Sequence, residues 1–510
     1  MSYLDSKIPP KREDRLGACI SYGGTLCGMA QRRQNGCCRL QDGDRTFTQG
    51  SICLLLPALA MVNSLPDTAI LLHGVIGCGS CAHSQNANVR SGGNVRFGRV
   101  QDALWLSTAL DETDVINGGE VKLEKAIIEV DRRYRPAALV VVAGCVPGII
   151  GDDIDGVAAR IQPQVSARIL PVHCEGFKTK IWATAYDAVY HALGRNLLDE
   201  PPEEQERHRR IIPDEDADAL EESRRRRTVN LMNVSSMGRG DEKELTRLLN
   251  ALGLDVNIFP VFTKPEEMYK ATQAALSIST CPTHDDYFLQ HLQEKYGIPY
   301  LLQHMPIGIR NTSAWLRTVA AHFGLAEQAE IIIAKEEAEL RKALQPLLPI
   351  FDGKTVFVSA GEFRSLATSH LLTELGLKLV GVRAYHHDEF AEGEYQKLTE
   401  ASQDDIPYNV ANAQPFEEAN LLRRLQPDLF LGHWHGNTTA AKLGSATHVI
   451  YNTGINYVGY IGVYDLARRL YRQLKNPALN KHFRDHLRLP YTDSWYANDA
   501  FAHIKEAPGE

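Results

Sequence analysis

AALVVVAGCVPGIIGDDI, at residues 137–154, is the stretch that decides the fold class. Its first seven residues are apolar and rich in valine, which is typical of a strand buried on both faces of a parallel sheet. Residues 118–134, directly before it, have the spacing of an amphipathic helix. A helix, a buried strand and a Gly- and Pro-rich loop carrying Cys145 predict an α/β unit with its functional groups at the carboxyl end of the strand.

The same alternation continues along most of the chain. Apolar runs that predict strands alternate with amphipathic stretches that predict helices, and the predicted strands are residues 68–73, 137–143, 169–172, 228–234, 274–279, 299–302, 355–359, 377–382, 428–431 and 448–451. Strands that alternate with helices form parallel βαβ units. We therefore predict an α/β fold of three doubly wound, Rossmann-like domains with parallel sheets.

The domain boundaries are predicted from changes in composition. Residues 199–227 are almost entirely charged, which indicates a solvated linker. The predicted parts are an N-terminal arm at 1–45, an α/β domain at 46–200, a charged linker at 201–227, α/β domains at 228–350 and 351–490, and a C-terminal tail at 491–510.

Composition narrows the classes of function. The formal net charge of −8 argues against a nucleic-acid-binding surface. Residues 1–15 lack an apolar signal-peptide core and the longest apolar runs are of strand length, so we expect a cytoplasmic protein without a membrane span. Nine of the ten cysteines lie in the first 174 residues. In a reducing cytoplasm this clustering favours metal or redox chemistry, although free cysteines are also common as small buried residues.

Three cysteines follow predicted strands. Cys78 in HGVIGCGSC, Cys145 in GCVPGIIGDDI and Cys281 in STCPTHDD each lie in a loop rich in Gly or Pro, and Cys53 precedes Cys78 by 25 residues. We expect a thiol near a helix N-terminus to have a lowered pKa and to be available to a metal, as in iron–sulfur sites. Cys78 and Cys81 form a C-x-x-C pair whose flanking residues fit neither a zinc ribbon nor a thioredoxin-type pair.

Five segments carry a resemblance to a known family: HGVIGCG at 73–79, CVPGIIGDDI at 145–154, VHCEGF at 172–177, CPTHDDYFLQHLQEKYGIPY at 281–300 and RLQPDLFLG at 424–432. At these motifs, and in their order, the chain resembles the catalytic (alpha-type) subunit of nitrogenase component 1 and its relatives. The resemblance runs from about residue 50 to residue 485. It implies three α/β domains, with cluster sites between domains and at the subunit interface.

The resemblance also implies two metal sites. A P-type [8Fe-7S] cluster shared with a homologous beta/K-type subunit takes three cysteines from each subunit, and Cys53, Cys78 and Cys145 fall on those positions. Cys281 falls on the cysteine that holds a large iron–sulfur(–carbide) active-site cluster; the alternative is a packed core cysteine. By the same resemblance we expect a heterotetramer that receives electrons from an ATP-dependent [4Fe-4S] Fe protein.

The chain departs from nitrogenase around this second cluster. Trp182 and Tyr186 replace a glutamine and a histidine, and Asn452 lies where nitrogenase has its histidine ligand. His435 replaces a lysine that contacts the organic acid of the cofactor, whereas Arg364 matches an arginine beside it. The resemblance thus implies Trp182, Tyr186, Arg364 and His435 as catalytic candidates, and Arg364 and Asn452 as cofactor-binding residues. Large aromatic faces suit an apolar or thioether substrate.

The missing histidine ligand has three candidate replacements, His433, His435 and His448, because neutral imidazole ligates iron. Hydrogen-bonded loop histidines are the alternative for each of them. We interpret four residues as structural or packing residues: His386, His387, Cys81 and Cys174. Four further cysteines have no assigned role: Cys19, Cys27, Cys37 and Cys38.

These departures argue against dinitrogen reduction. The chain looks like the D-type subunit of the methylthio-alkane reductases, nitrogenase-like systems that cleave C–S bonds of 2-methylthioethanol and dimethyl sulfide and release methanethiol for methionine synthesis. One alternative is a scaffold subunit that assembles nitrogenase cofactor, and another is a dinitrogen-reducing alpha subunit. The bulky aromatic residues at 182 and 186 favour a closed pocket and therefore a catalyst.

Overall fold

The structure is a computed structural model, and the residues that it describes are 6–18, 20–34, 53–85, 104–199, 222–233, 238–401, 405–412, 414–432, 434–450, 454–489 and 491–504. The predicted linker, 201–227, lies mostly outside these residues. The predicted domain boundaries as a whole stay a prediction. No helix in the described ranges is long and apolar enough to cross a membrane.

The first sheet contains four parallel strands in the order β3-β2-β4-β5. These strands are β2 (Thr68–His73), β3 (Leu104–Ser107), β4 (Ala138–Ala143) and β5 (Arg168–His173). All side chains of β2 and β4 are buried, as the continuous apolar runs predict.

The second sheet is also parallel, in the order β7-β6-β8-β9. Its strands are β6 (Thr228–Asn233), β7 (Asp255–Pro260), β8 (Leu276–Ile278) and β9 (Tyr300–Leu301). β8 ends three residues before Cys281, so the sheet delivers this cysteine at its carboxyl edge.

The third sheet has the order β1-β12-β11-β10-β13-β14, and its strands are β10 (Thr355–Ala360), β11 (Lys378–Ala384), β12 (Pro407–Ala411), β13 (Leu429–Gly432), β14 (Ala446–Val449) and β1 (Ser21–Thr25). Five of these strands are parallel, but β1 pairs antiparallel with β12. The α/β fold with parallel, Rossmann-like sheets is confirmed, with this one antiparallel edge strand added from the predicted N-terminal arm.

The helices cover the faces and edges of the three sheets. They are Arg12–Leu16, Leu26–Gln34, Leu55–Val62, Ile76–Gln85, Glu112–Asn117, Glu120–Tyr134, Cys145–Ile150, Ile154–Ile161, Thr184–Asn196, Arg239–Ala251, Pro282–Tyr296, Ile309–His322, Ala326–Leu344, Glu362–Glu374, Glu392–Ala401, Pro415–Leu425, Trp434–Lys442, Gly459–Lys475, Ala478–His486 and Asp493–Tyr496.

The hydrophobic cores join the three sheets. One continuous core contains side chains from both the second and the third sheet, including Val229 of β6 and Val356 of β10. A second core joins the first sheet to the helix Pro282–Tyr296, where Phe288 stacks on Tyr190 with ring centroids 4.7 Å apart. The helix that begins after Cys281 therefore packs between the first and the second sheet.

Candidate functional site

Cys53, Cys78 and Cys145 come together at the carboxyl edge of the first sheet. Cys78 lies in the helix that follows β2, and Cys145 is the first residue of the helix that follows β4. A methyl group built on Gly176, just after β5, would lie 3.4 Å from Cys53 Sγ and 3.5 Å from Cys145 Sγ. Cys78 is close enough to Cys145 for their charges to interact. The structure thus brings together the three predicted cluster ligands.

This group of thiols fits an iron–sulfur cluster. In the described part of the chain no three His, Cys, Asp or Glu side chains converge tightly enough to hold a single metal ion. A multi-iron cluster instead takes thiolates distributed around its perimeter. A Cβ at position 176 would contact two of the sulfurs. Because Gly176 lacks a side chain, the space beside the thiols stays open for a cluster.

Partial desolvation raises the pKa of the Cys53 and Cys78 thiols, and the charges of the neighbouring cysteines add to both shifts. The expectation of a lowered pKa is therefore wrong for Cys78. The cost of desolvating the charged thiolate outweighs the stabilisation that the helix N-terminus gives it. A bound metal would remove the thiol proton outright, so a raised pKa in the metal-free chain does not oppose cluster binding.

Large apolar side chains are exposed beside these thiols. Ile76 is 63% exposed, Ile149 is 71% exposed and Phe177 is 55% exposed. Each lies within four residues of a cluster cysteine or of Gly176 in the sequence. A surface of this kind around a functional group is typical of a protein–protein contact.

Cys281 lies in a second, buried site. It is 5% exposed and caps the helix Pro282–Tyr296. Asp285 holds the turn in place, because one carboxylate oxygen accepts hydrogen bonds from Ser279 Oγ at 2.9 Å, Thr280 N at 3.1 Å and Cys281 N at 3.2 Å. The buried carboxylate thus satisfies the amide groups at the start of the helix.

Burial also sets the protonation of this turn. It raises the pKa of Cys281 to about 12, and the nearby Asp285 charge adds to the shift while Arg364 opposes it. Burial raises the pKa of Asp285 to about 7, although its three hydrogen bonds work against this. The expected low pKa of Cys281 is therefore wrong for the metal-free chain, since desolvation dominates.

A cavity of about 30 Å³ lies against Cys281. Its walls come from the carboxyl ends of strands in all three sheets, as expected for α/β folds. The lining residues are Trp182, Ala183, Tyr186, Cys281, Thr283, His284, Gly361, Phe363, Arg364 and His386. Three of the four predicted catalytic residues, Trp182, Tyr186 and Arg364, therefore share one cavity with the predicted cofactor cysteine.

The cavity walls are aromatic with a few polar atoms. Trp182 lies 6.3 Å from Tyr186 and 5.8 Å from Tyr385 between ring centroids, and Tyr186 lies 4.0 Å from the His284 ring. Among the described residues, neither Trp182 Nε1 nor His284 Nδ1 has a hydrogen-bond partner. Arg364 Nη1 donates to the Ile450 carbonyl at 3.3 Å. Buried polar atoms left unpaired beside a buried thiol fit a site that is completed by a bound group.

Two buried arginines of the N-terminal helix lie behind this cavity. Arg12 Nη2 donates to Asp187 Oδ1 at 2.9 Å and to Asp286 Oδ1 at 3.1 Å, and its Nη1 lies 3.6 Å from Asp388 Oδ2. Arg15 also pairs with Asp187 and with Asp286. The three carboxylates follow the first, second and third sheets respectively, so the arginines join all three parts behind the cavity.

Several predicted residues fall elsewhere. Asn452 and His433 lie outside the described residues, as does the side chain of His435, and their roles stay predictions. His448 lies on β14, where burial lowers its pKa to about 4. Among described residues, the cavity-lining histidines are His284 and His386.

Sequence reasoning missed both of these histidines. His386 was interpreted as structural, and its place in the wall depends on long-range packing. His284 had a local signal, since it lies one helical turn after Cys281.

The interpretation of the remaining cysteines is partly wrong. Cys174 is buried and its Sγ donates to the Leu54 carbonyl at 3.5 Å, in agreement with a packing role. Cys81 is exposed and lies near Cys53 and Cys78, so it does not pack in the core. Cys19, Cys37 and Cys38 lie outside the described residues.

A sequence model of the nitrogenase component 1 type oxidoreductases matches residues 53–475. The chain belongs to this family. The match includes every strand from β2 to β14, the three converging cysteines and Cys281. Proteins of the nitrogenase component 1 family carry iron–sulfur clusters and work with a beta-type subunit and an Fe protein.

Similar proteins in this family include cofactor biosynthesis proteins and nitrogenase alpha chains. The chain is 29% identical over 426 residues to the nitrogenase iron-molybdenum cofactor biosynthesis protein NifE of Nostoc sp., with 82% of each chain covered. It is 28% identical over 340 residues to the nitrogenase molybdenum-iron protein alpha chain of Methanosarcina barkeri, covering 64% of this chain and 58% of that one. The solved structure titled "Nitrogenase Cp1 at pH 5" matches with a TM-score of 0.69 at 22% identity, covering 88% of this chain and 93% of that chain, which supports the fold alone.

Proposed function

We propose that this chain is the catalytic subunit of a nitrogenase-like reductase that cleaves C–S bonds of small methylthio-alkanes. With two electrons and two protons, 2-methylthioethanol would give ethylene, methanethiol and water, and dimethyl sulfide would give methane and methanethiol. The observation that carries the proposal is the cavity at Cys281, which combines a buried thiol with walls formed by Trp182 and Tyr186.

The wall chemistry supports a thioether substrate. Aromatic faces bind apolar methyl and methylene groups and polarisable sulfur. A few polar atoms then fix the orientation of the ligand. The indole N–H of Trp182 is available as a donor, and the His284 ring lies against Tyr186 on the same wall. These groups would orient the hydroxyl of 2-methylthioethanol and exclude bulk water from the sulfur.

The same residues would hold the active-site cluster. Cys281 would ligate it, and Arg364, which lines the same cavity, would compensate its negative charge, with Asn452 as a further predicted contact. When bound, such a cluster supplies the electrons for reductive C–S cleavage. Cys53, Cys78 and Cys145 would hold the P-type cluster that passes electrons inward from an ATP-dependent Fe protein.

The exposed apolar side chains beside the three thiols support a beta-type partner subunit. Ile76, Ile149 and Phe177 surround a cluster site that would otherwise be open to water. A homologous subunit covering this surface would bury them and shield the shared cluster. This arrangement agrees with the expected heterotetramer.

The second candidate function is a scaffold that assembles a nitrogenase-type cofactor. It is favoured by the 29% identity to NifE over 82% of the chain. A scaffold must release its cluster, whereas a catalyst retains it in a closed and preorganised pocket. The burial of Cys281 and the aromatic walls therefore favour the reductase.

Turnover of the anaerobically purified complex, with its Fe protein, ATP and reductant, tests the proposal. We expect ethylene and methanethiol from 2-methylthioethanol, together with many irons per catalytic subunit. If no thioether gives product but the complex transfers a cluster to an apo-enzyme, the scaffold function is established instead.

A pair of variants tests the role of Cys281. Cys281→Ala should abolish product formation and remove the active-site cluster, while the spectrum of the P-type cluster is retained. Cys27→Ala, a change of another thiol outside both sites, is the matched control and should leave turnover unchanged. Turnover in the Cys281→Ala complex would show that the cluster is held elsewhere.

A further inference from the structure

A second cavity, of about 380 Å³, lies beside the carboxyl end of β9. Small-molecule sites in proteins typically have volumes of about 300–1,000 Å³, so this cavity is large enough for a ligand. The lining residues that matter here are Gln303, His304, Asn311, Trp315, Phe363 and Lys397.

A buried carboxylate organises one side of this cavity. Glu394 is 1% exposed, and its Oε1 accepts a hydrogen bond from Lys397 Nζ at 2.9 Å and lies 3.1 Å from His304 Nδ1. Its Oε2 lies 3.3 Å from His370 Nε2. Among the residues that the structure describes, no three His, Cys, Asp or Glu side chains are placed to hold a metal ion. Glu394 therefore positions the lysine and the imidazoles and does not form a metal site with them.

The cavity also has buried amide donors that lack a partner. Asn311 is 9% exposed, and its Nδ2 has no hydrogen-bond partner within the described part of the chain. The same is true of Gln303 Nε2. An ammonium group carries three N–H donors, and Lys397 uses one on Glu394 and one on His304 Nε2, 3.2 Å away, so the third is left. Buried donors without a partner are costly, and a bound acceptor would satisfy them.

The remaining lining is largely apolar. Trp315 donates its ring N–H to the Ser279 carbonyl at 3.4 Å, so its ring face and not its N–H is left for a ligand. Phe363 adds a second aromatic side chain. Ala314 and Thr318 also line the cavity and are exposed, which leaves it open to solvent on that side. Aromatic faces of this kind bind the apolar body of a ligand.

We propose that this cavity binds a small organic carboxylate with an apolar body. The carboxylate would accept hydrogen bonds from Asn311, Gln303 and Lys397, and the apolar body would lie against Trp315 and Phe363. An ionised carboxylate has acceptors only, which matches a set of donors that includes one cation.

This binding site goes beyond the proposed reaction at Cys281. Of the described lining residues, only Phe363 belongs to both cavities. The site can therefore be tested by binding alone, whatever the complex reduces.

The test is isothermal titration calorimetry of the purified complex with butyrate and 4-phenylbutyrate, and with the corresponding neutral amides. We expect one carboxylate site per chain and at least about tenfold weaker binding of each amide, because hydrogen bonds to a charged group are the stronger ones. Binding of neither carboxylate, or equal affinities for carboxylate and amide, would overturn the proposal.

Variants locate the site. Asn311→Asp replaces the amide by a carboxylate of the same size, and an acidic residue suits the first turn of the helix Ile309–His322, so the fold should be kept. Asn311→Asp and Lys397→Met should each weaken carboxylate binding at least about tenfold.

Lys270→Met is the matched control for Lys397→Met. Both lysines pair with a glutamate three residues earlier, at 2.8 and 2.9 Å, and their side chains are 48% and 51% exposed. The control should bind the carboxylate as the unaltered complex does. Unchanged affinity in both Asn311→Asp and Lys397→Met would place the carboxylate elsewhere and refute the site.

Discussion

Replacement of Arg12 by methionine tests whether the buried arginines hold the three sheets together. Arg12 is 0% exposed and pairs with Asp187, Asp286 and Asp388 at 2.9, 3.1 and 3.6 Å. Methionine fills a similar volume without the charge, so the variant isolates the ionic contribution. Asp187 and Asp286 would then share Arg15, and Asp388 would keep the His386 ring 3.4 Å away.

Removal of one partner from a buried ion pair typically costs about 3–5 kcal/mol, because the remaining charge is left uncompensated in a region of low dielectric constant. Arg15 still pairs with Asp187 at 2.9 Å and with Asp286. We therefore expect the lower end of that range, about 3 kcal/mol, for Arg12→Met.

The assay is urea unfolding of the full-length chain, followed by tryptophan fluorescence. Arg160→Met is the matched control, since Arg160 is 52% exposed and pairs with Glu120 and Glu124 at 3.1 and 2.7 Å. Exposed pairs contribute about 0–1 kcal/mol. Asp286→Asn added to Arg12→Met should recover part of the loss, because Arg15 then has one buried carboxylate to compensate instead of two. Equal losses below about 1 kcal/mol for Arg12→Met and Arg160→Met would refute the reasoning.

Three further predictions concern the two sites and the pH dependence of stability. Gly176→Val adds a side chain whose Cβ would lie 3.4 Å from Cys53 Sγ, so the iron content and the EPR signal of the P-type cluster should fall. Full iron retention would contradict this prediction. Burial lowers the pKa of His191 to about 4, so the unfolded state takes up a proton first and stability is lost as pH falls from about 6.5 to 4. In unfolding measurements across that pH range, His191→Gln should remove this contribution of His191, a loss of stability on the order of 3 kcal/mol. A change at the exposed His486 should leave the pH dependence unaltered. Trp182→Ala should raise kcat/KM for ethyl methyl sulfide relative to dimethyl sulfide by roughly tenfold, and an unchanged ratio would exclude Trp182 from the substrate wall.

The strands were predicted well where the apolar run was continuous. The predicted strand 68–73 is identical to β2, and 137–143 differs from β4 by one residue. The four-residue strand β3 (LWLS) was missed. β7 and β12 were also missed, because DVNIFP and PYNVA interrupt the apolar run with polar residues. β1 was also missed, because SYGGT has no strand pattern and becomes a strand only by pairing with β12.

The sites were predicted residue by residue, but not their electrostatics. Trp182, Tyr186, Cys281 and Arg364 were named from motifs, and the structure brings them into one cavity. The protonation of Cys281 was predicted with the wrong sign, because a helix N-terminus is visible in a sequence whereas the depth of burial is not.

The sequence by itself determined the α/β class and the positions of Cys78, Cys145 and Cys281 after strands, because strand periodicity and loop composition are local properties. Only the tertiary structure decided what meets at those ends. Arg12 reaches carboxylates from three sheets, His386 enters the cavity wall, and Cys81 is exposed instead of packed in the core. Desolvation and pairing energies depend on atoms that are distant in the chain and close in space, so the packed fold alone sets the chemistry of both sites.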